Sequence, residues 1–352
     1  MWLLNSCSWE IKEFISYKQA PPYAILTHTW GNEEVTFRDW QSEPSKFVER
    51  KEGFKKIKLC CQQAAADGFE WVWIDTCCID KTSSAEITEA INSMFQWYRN
   101  ATVCYAYLND VEDDIESNLA GCRWVTRGWT LQELIAPREV VFYSSSWHAL
   151  GTRSRLSSHI ATVTGINEPF LTGRSLEHAT IAQRMSWAAK RTTSRDEDMA
   201  YCLLGIFDVN MPLIYGEGWK AFKRLQEILI NEYPEDFSLF AWGRFVEELP
   251  NAVHDDQQIF GSKPIQLDPD EVIENLFGLL AESPKDFEHS GWVIPPPDIA
   301  GYFEGDRDYR MVPKTPSLPV SHLFGRTARV NLPKFTFGVN LAFHVNGPLM
   351  GE

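Results

Sequence analysis

The feature of this sequence that most restricts its fold is an alternation of short apolar runs and helix-like segments over residues 22–145. The runs are rich in strand-forming residues and read PYAILTHTW (22–30), WVWIDTCCID (71–80), ATVCYAYLND (101–110) and EVVFYSS (139–145). Such an alternation is typical of an α/β domain, in which helices pack on a parallel sheet. We therefore predict at least four parallel strands here.

The segments between the runs have helical spacing. FKKIKLCCQQAAADG (54–68) is expected to end at Gly68, and SAEITEAINSMFQWYRN (84–100) is expected to begin at Ser84 as its N-cap. RGWTLQELIAP (127–137) follows the third run, and it places Trp129 and Glu133 four residues apart. Residues at this spacing share one face of a helix. We expect Trp129 to pack the helix against the sheet and Glu133 to face the strand ends.

In open parallel sheets, ligands bind at the carboxyl ends of the strands where the strand order reverses. Glu133 would reach the same edge from the start of the helix that follows the third strand. The sequence therefore predicts a candidate site at this edge. The residues expected at the strand ends are His28, Thr29, Trp30, Gly31, Asp75, Thr76, Cys77, Asn109 and Asp110.

After residue 145 the sequence pattern changes twice, first to helical segments and then to short apolar runs. Residues 155–165 and 180–209 read as helices, with Ser194 as a cap, and 212–232 read as a tight glycine turn that leads into an amphipathic helix. From about residue 238, short apolar runs separated by Pro, Gly and Asp favour a β-rich extension. The closing PLMGE has no cap or tail signal, which favours a larger parent protein or a cut chain, with a natural end as the alternative. We predict a lead-in, an α/β core, a helical flank and a β-rich region at residues 1–21, 22–150, 151–235 and 236–352.

Composition excludes several classes of protein. Hydrophobic residues at 44% and charged residues at 23% are globular values, which argue against a disordered chain or a fibre. A net charge of -15 without a basic run opposes nucleic-acid binding. The sequence has neither a basic leader nor an apolar run approaching the ~18 residues that span a bilayer, so we predict a cytoplasmic protein without a membrane span.

The eight cysteines predict free thiols. Two pairs are adjacent, Cys60-Cys61 and Cys77-Cys78, and no C-x-x-C spacing occurs, so neither a disulfide framework nor a metal site is expected. One alternative assigns chemistry to a thiol: Cys77 or Cys78 could pair with His28 as nucleophile and base. An apolar neighbourhood opposes that reading, because it raises the pKa of a thiol.

Six blocks, in order over roughly residues 22–230, resemble the fungal heterokaryon incompatibility (HET) domain. This resemblance implies a cell-death effector that acts when unlike hyphae fuse. FGLLAESPKDFEHSG resembles the segment that often follows the domain in the subfamily of vegetative incompatibility proteins. This chain has Lys81 where many members have Gln, so the resemblance does not assign a ligand-binding role to Lys81. The blocks are YAILTHTWG, WVWIDTCCIDK, AINSMFQWYRNATVCYAYLNDV, RWVTRGWTLQELIAP, RMSWAAKRTTSRDEDMAYCLLGIFDVNMPLIYGEG and AFKRLQEIL.

A more distant resemblance connects RGWTLQEL to the aromatic-x-x-x-Glu-Leu box of TIR domains, and the order of elements is similar to a TIR-like, flavodoxin-like sheet. The resemblance implies cleavage of the bond between nicotinamide and ribose in NAD, with Glu133 as the essential carboxylate. NAD would be a substrate, and no cofactor is predicted. Because TIR-like sites are often completed by a neighbouring copy, the resemblance also implies self-association, and an upstream receptor or recognition domain is expected as a partner.

Supporting residues follow from the chemistry of such a ligand. Trp30 or Trp129 could stack a base, and Arg127 or Arg123 could contact the diphosphate. A tryptophan beside a sheet is more often part of the core, and an exposed arginine is usually solvated. The remaining candidates are Thr29, the backbone amide of Gly31, and Asp75, a carboxylate that is costly to bury without a partner. The alternative to catalysis is a non-catalytic assembly module with TCCIDKTSSAE (76–86) as a contact loop.

Overall fold

A central seven-stranded sheet organises the protein, for which the computed structural model describes residues 1–42, 48–242, 280–291 and 293, and the backbone of 325–332 and 335–342. The strand order is β2-β1-β4-β3-β5-β6-β7. The four central strands, β4, β3, β5 and β6, are parallel, which confirms the predicted sheet. The strands are β1 (Trp2–Asn5), β2 (Ile11–Glu13), β3 (Tyr23–His28), β4 (Trp71–Ile74), β5 (Val103–Tyr107), β6 (Val140–Tyr143) and β7 (Ala149–Thr152).

Both edges of the sheet are antiparallel. Residues of the predicted lead-in form β1 and β2, and β1 pairs with β4 through Leu4 and Val72. At the other edge, β7 pairs with β6. These strands were not predicted, because β1, β2 and β7 have only three or four residues each and show no clear alternation.

Among the described residues, three helices have 13 or more residues and the others have eight or fewer. α2 ends at Ala66 with Asp67 as its C-cap, so the predicted C-cap Gly68 is off by one residue, although its φ of +85° is the left-handed conformation that commonly follows a helix. α3 begins at Ser84, but its N-cap is Ser83, whose hydroxyl accepts a hydrogen bond from the Glu86 amide. The prediction for Ser84 was therefore wrong by one residue. The helices are α1 (Phe37–Ser42), α2 (Phe54–Ala66), α3 (Ser84–Asn100), α4 (Ile115–Asn118), α5 (Arg123–Thr126), α6 (Thr130–Ile135), α7 (Ser157–Thr164), α8 (Glu168–Leu171), α9 (Ile181–Ser186), α10 (Asp198–Tyr201) and α11 (Lys220–Glu232).

The predicted flank contains α7, α9, α10 and α11. Ser194 does not cap a helix: Glu197 precedes α10, and the Ser194 hydroxyl lies 3.5 Å from Arg127 Nη1. The Glu197 carboxylate instead accepts hydrogen bonds from the amides of Gly216 and Gly218 at 2.7 and 3.0 Å. Both glycines have positive φ, so the predicted turn before α11 is confirmed and is fixed by this carboxylate.

The C-terminal region contributes a hairpin of β8 (Gly325–Leu332) and β9 (Phe335–Ala342). Short 3-10 turns cover Phe237–Phe240 and Pro284–Phe287, the second of which lies within FGLLAESPKDFEHSG. The remaining predictions for residues 243–279, 294–324 and 343–352 lie outside the described residues. No helix in the described part of the chain is long and apolar enough to cross a membrane.

All eight cysteines are free, and every one except Cys7 is buried. Burial raises the pKa of the Cys60 thiol well above its usual range, which makes the thiolate scarce. Within the same described residues, no group of three or more His, Cys, Asp or Glu side chains could hold a metal ion.

We therefore expect thiol titration of the unreduced protein in denaturant to give a number close to the eight cysteines of the sequence. The same titration without denaturant should detect about one thiol, since only Cys7 is exposed. A denatured count of four or fewer would contradict the structure and indicate disulfides.

Candidate functional site

The carboxyl ends of β3, β4 and β5 meet at one edge of the sheet, which we call the strand-end edge. The chain reaches β4 on one side of β3 and β5 on the other, so the strand order reverses between β3 and β5. This reversal is where open α/β sheets bind ligands. The residues predicted to follow these strands therefore lie along this edge, as expected.

The loop after β3 is held by polar contacts. Thr29 Oγ1 donates to Asn109 Oδ1 at 2.9 Å, which joins the ends of β3 and β5. Glu34 Oε1 accepts from the Gly31 amide and from Lys56 Nζ, each at 2.5 Å. Because Lys56 and Glu34 are both largely buried, removing one partner would leave an uncompensated charge. The pair fixes the loop, and the Gly31 amide is already occupied by Glu34.

Asp75 organises the ends of β3 and β4. Its Oδ2 accepts from the indole Nε1 of Trp30 at 2.7 Å, and its Oδ1 lies 3.5 Å from His28 Nε2. Neither ring nitrogen of the buried His28 has a hydrogen-bond partner. Burial, assisted by the Lys56 cation, lowers the pKa of His28 well below its usual value, so the imidazole is neutral. Lys81 covers the ring of Trp30, with its Nζ 3.4 Å from the ring centroid.

Glu133 lies beneath this edge on α6. Only 8% of the residue is exposed, and one of its carboxylate oxygens accepts a hydrogen bond from the hydroxyl of Thr27 on β3. The Thr27 hydroxyl in turn accepts from the indole Nε1 of Trp124 at 2.7 Å. The Tyr98 hydroxyl contacts Glu133 as well. The carboxyl group is therefore held by β3, α3 and α5 together.

The environment of Glu133 favours its protonated form. Burial raises the pKa of Glu133 to about 8, and the nearby Asp75 charge acts in the same direction. The hydrogen bonds from Thr27 and Tyr98 and the Arg127 cation oppose this rise without cancelling it. At neutral pH most Glu133 side chains are therefore uncharged, and a cationic ligand nearby would favour ionisation.

Two buried arginines fix the ends of α6. Arg191 Nη1 donates to the Arg127 carbonyl and to Thr130 Oγ1, both at 2.9 Å, at the start of the helix. Arg153 donates to the carbonyls of Leu134 and Arg138 at 2.5 and 3.0 Å, at its end. Burial lowers the pKa of Arg191 to about 10, yet the group stays charged at neutral pH. Sequence reasoning missed both arginines, and no local pattern marks them.

Gly128 explains how α6 approaches the flank. Its amide donates to the Thr192 carbonyl at 2.9 Å, and a Cβ at this position would lie 2.5 Å from Thr193 Cγ2. A larger residue would therefore push the two segments apart. The glycine in the sequence RGWT permits the close contact that brings Arg191 to the start of the helix.

The two tryptophans near α6 differ in burial. Trp124 is 1% exposed, and its ring meets that of Phe142 edge-on at 5.7 Å. Trp129 directly precedes α6, is half-buried and hydrogen-bonds to Asp198. Trp129 does pack against the core, but the indole that anchors Glu133 through Thr27 belongs to Trp124. The sequence analysis did not single out Trp124, Thr27 or Tyr98.

The arginines proposed for a diphosphate lie near the strand-end edge. Arg123 Nη2 is 3.4 Å from the Trp30 carbonyl, and Arg127 Nη1 is 3.5 Å from the Ser194 hydroxyl. Neither forms a salt bridge to a carboxylate among the described residues.

Cys77 is a poor candidate nucleophile. Its thiol is fully buried and lies 3.9 Å from the Ile74 carbonyl. A hydrogen bond with Cys78, together with burial, raises the pKa of Cys77 well above its usual value. A catalytic cysteine needs the opposite shift, because the thiolate is the nucleophile. The structure therefore disfavours the thiol-hydrolase alternative.

Comparison with known proteins matches two parts of the chain to family models. Residues 23–121 match "Heterokaryon incompatibility protein (HET)", and residues 220–305 match "Domain of unknown function (DUF8212)". Vegetative incompatibility protein HET-E-1 of Podospora anserina is 49% identical over 219 residues, which cover 59% of this chain and 16% of that protein. The chain thus spans a small part of this relative. No solved structure matches significantly.

The raised pKa of Glu133 predicts a pH-dependent stability difference between the native protein and Glu133→Gln. From about pH 4.5 to pH 8, the folded state keeps a proton that the unfolded state releases, so native stability falls as pH rises. The free energy of unfolding of the variant relative to the native protein should increase by about 3–4 kcal/mol between pH 5 and pH 8.5. Urea denaturation at both pH values measures this difference.

The control is Glu89→Gln, which removes an exposed carboxylate from α3. It should leave the pH dependence of the native protein unchanged. A Glu133→Gln variant whose relative stability is the same at both pH values would show that Glu133 is ionised throughout.

Burial predicts that Trp124 contributes more stability than Trp129. Trp124→Ala should lower the free energy of unfolding by about 3–5 kcal/mol, as expected for a large aromatic side chain removed from a core. Trp129→Ala should cost about 1–2 kcal/mol, because the side chain is only half-buried. Urea denaturation of both variants tests the order, and equal losses would contradict it.

Proposed function

Because the chain carries a heterokaryon incompatibility domain, we propose that it acts as a cell-death effector in fungal heterokaryon incompatibility. The chain matches part of a relative that is named a vegetative incompatibility protein. We further propose that killing follows from cleavage of the nicotinamide–ribose bond of NAD, with Glu133 as the catalytic carboxylate. The observation that carries this step is a single buried glutamate directly below the strand-end edge.

The fold supports the proposal. The parallel strands occur in the order second, first, third, fourth along the chain, which is the order that begins flavodoxin-like sheets. TIR-like domains have such a sheet, and the box that contains their essential glutamate resembles RGWTLQEL. The predicted core of residues 22–150 would then be the catalytic domain, with residues 151–235 supporting α6 through Arg153 and Arg191.

The electrostatics of Glu133 suit this chemistry. When the N-glycosidic bond breaks, its electron pair goes to the nicotinamide nitrogen, and positive charge develops on the ribose before water attacks C1′. An ionised carboxylate stabilises that charge more strongly than it stabilises the ground state. The cationic nicotinamide ring of NAD would itself lower the pKa of Glu133 from about 8 and favour the ionised form. Nicotinamide leaves as a neutral base, so no general acid is required.

A non-catalytic assembly module is the second candidate, and one feature favours it. Ile214, Tyr215 and Trp219 are exposed on the turn that Glu197 fixes. A rigid turn with three large apolar side chains is suited to contact between proteins. Under this reading, Glu133 would be only a buried structural partner of Thr27. Self-association and an upstream receptor are expected under both candidate functions.

The proposal predicts that Glu133→Gln slows release of nicotinamide from NAD by about 10²–10⁴, the range for a positioned catalytic carboxyl group. The native kcat/KM should rise with pH through about 8, because it reports the pKa of Glu133 in the free protein and the ionised form is the active one. Chromatography of reactions at high protein concentration measures the rate, with Glu89→Gln as the matched control.

Expression in fungal cells separates the two candidates. A Glu133→Gln variant that folds but does not kill supports catalysis. Full killing by that variant would refute the NAD mechanism and favour the assembly module.

A further inference from the structure

Three basic side chains lie at the strand-end edge without a carboxylate partner within 4.0 Å in the described part of the chain: Lys81, Arg123 and Arg127. Lys81 and Arg127 are close enough to His28 to lower its pKa, and Arg123 reaches the Trp30 carbonyl at 3.4 Å. The whole chain carries a net charge of -15, so this cluster is a local positive region on an acidic protein. Such a cluster attracts anions.

Trp30 presents an aromatic surface within this cluster. The residue is 41% exposed, and the hydrogen bond from its indole N–H to Asp75 fixes the orientation of the ring. Lys81 Nζ lies over the ring at 3.4 Å from the centroid. The Trp30 ring is therefore oriented and partly exposed, and the lysine side chain that lies over it can change rotamer.

His28 provides an independent indication of a ligand. The residue is buried, and neither ring nitrogen has a hydrogen-bond partner, although it lies at the end of β3 beside Asp75. Buried polar groups are almost always hydrogen-bonded, so an exception calls for an explanation. A neutral imidazole can donate and accept at once, and a ligand hydroxyl would satisfy it.

We propose that Lys81 and Trp30 form a nucleotide clamp at the strand-end edge. A phosphate group draws the Lys81 ammonium away from the ring, and the exposed face of Trp30 then stacks an aromatic base. Arg123 contributes a second cation for the phosphates, and His28 meets a hydroxyl of the ribose. This inference deepens the proposed function, on which it rests for the assumption that the same edge takes NAD.

The exchange is favourable on physical grounds. A cation–π contact at an exposed site is weaker than a charge-assisted hydrogen bond between an ammonium and a phosphate oxygen. Stacking of a base on tryptophan replaces the ring contact that Lys81 gives up. The Asp75 carboxylate does not bind the phosphate, because both groups are anions. Its role is to position Trp30 by accepting the hydrogen bond from the indole N–H.

Binding of ADP and adenosine to the full chain, measured by calorimetry, tests the clamp. Neither ligand contains a nicotinamide–ribose bond, so the measurement is independent of cleavage. Lys81→Ala should weaken ADP binding by about 10-fold, because a charge-assisted contact is lost. The same change should leave adenosine binding equal or stronger, because the ring is uncovered. ADP binding to the native chain should also weaken with added salt.

Lys12→Ala is the matched control. Lys12 also lies over an aromatic ring, 5.4 Å from the centroid of Phe14, but it belongs to the edge strand β2. It should not change ADP binding. Trp30→Leu should weaken both ligands, and Lys81→Arg should restore most of the ADP affinity.

The inference is overturned if the native chain does not bind ADP, or if Lys81→Ala binds ADP as tightly as the native chain. Nicotinamide release from NAD is measured on the same preparations. Lys81-dependent ADP binding without nicotinamide release would sustain the clamp and refute the NAD mechanism. If nicotinamide is released but ADP binding is unchanged in Lys81→Ala, the clamp is refuted and the NAD mechanism is not.

Discussion

Burial of α6 is the constraint on which the rest of the structure depends. All six of its residues are buried, including Thr130, Gln132 and Glu133, so its polar groups need partners from elsewhere in the chain. Those partners come from β3 through Thr27 and from two arginines beyond the core. The helix is therefore a junction between the sheet and the flank, and the flank is needed to keep the core polar groups satisfied.

The polar contacts at the candidate site are unevenly distributed. Lys56, Glu34 and Asn109 hold the loop after β3 in place, and this leaves little freedom there. In the same loop, the Trp30 side chain is exposed and contacts Asp75 through a hydrogen bond and Lys81 through its ring. Rigid support beneath exposed, exchangeable groups is the arrangement expected of a binding site built on a fixed scaffold.

The parallel core and the meeting of its strand ends could be predicted, because apolar runs alternating with helical spacing leave few topologies. The hydrogen bonds around Glu133 could not be predicted. Trp124 and Thr27 are 97 positions apart, and Thr27 and Glu133 are 106 apart, so no local pattern joins them. The N-cap of α3 shows a smaller limit: Ser83 and Ser84 are both capping residues, and only the geometry of the first turn selects Ser83. The four-residue spacing to Glu133 predicted a packing role for Trp129, whereas Trp124 is the more deeply buried of the two tryptophans.

The order of strands also governs when the protein can fold. β3, the centre of the sheet, has no neighbour that precedes it in the chain: Ala24 pairs with Val72 and with Val103. The first two strands pair with each other, but β1 joins the rest of the sheet through β4, which comes later in the chain. Pairings between distant segments form slowly. During synthesis β3 must therefore remain unpaired until β4 and β5 emerge, and this apolar strand is exposed to aggregation or chaperone binding in that interval.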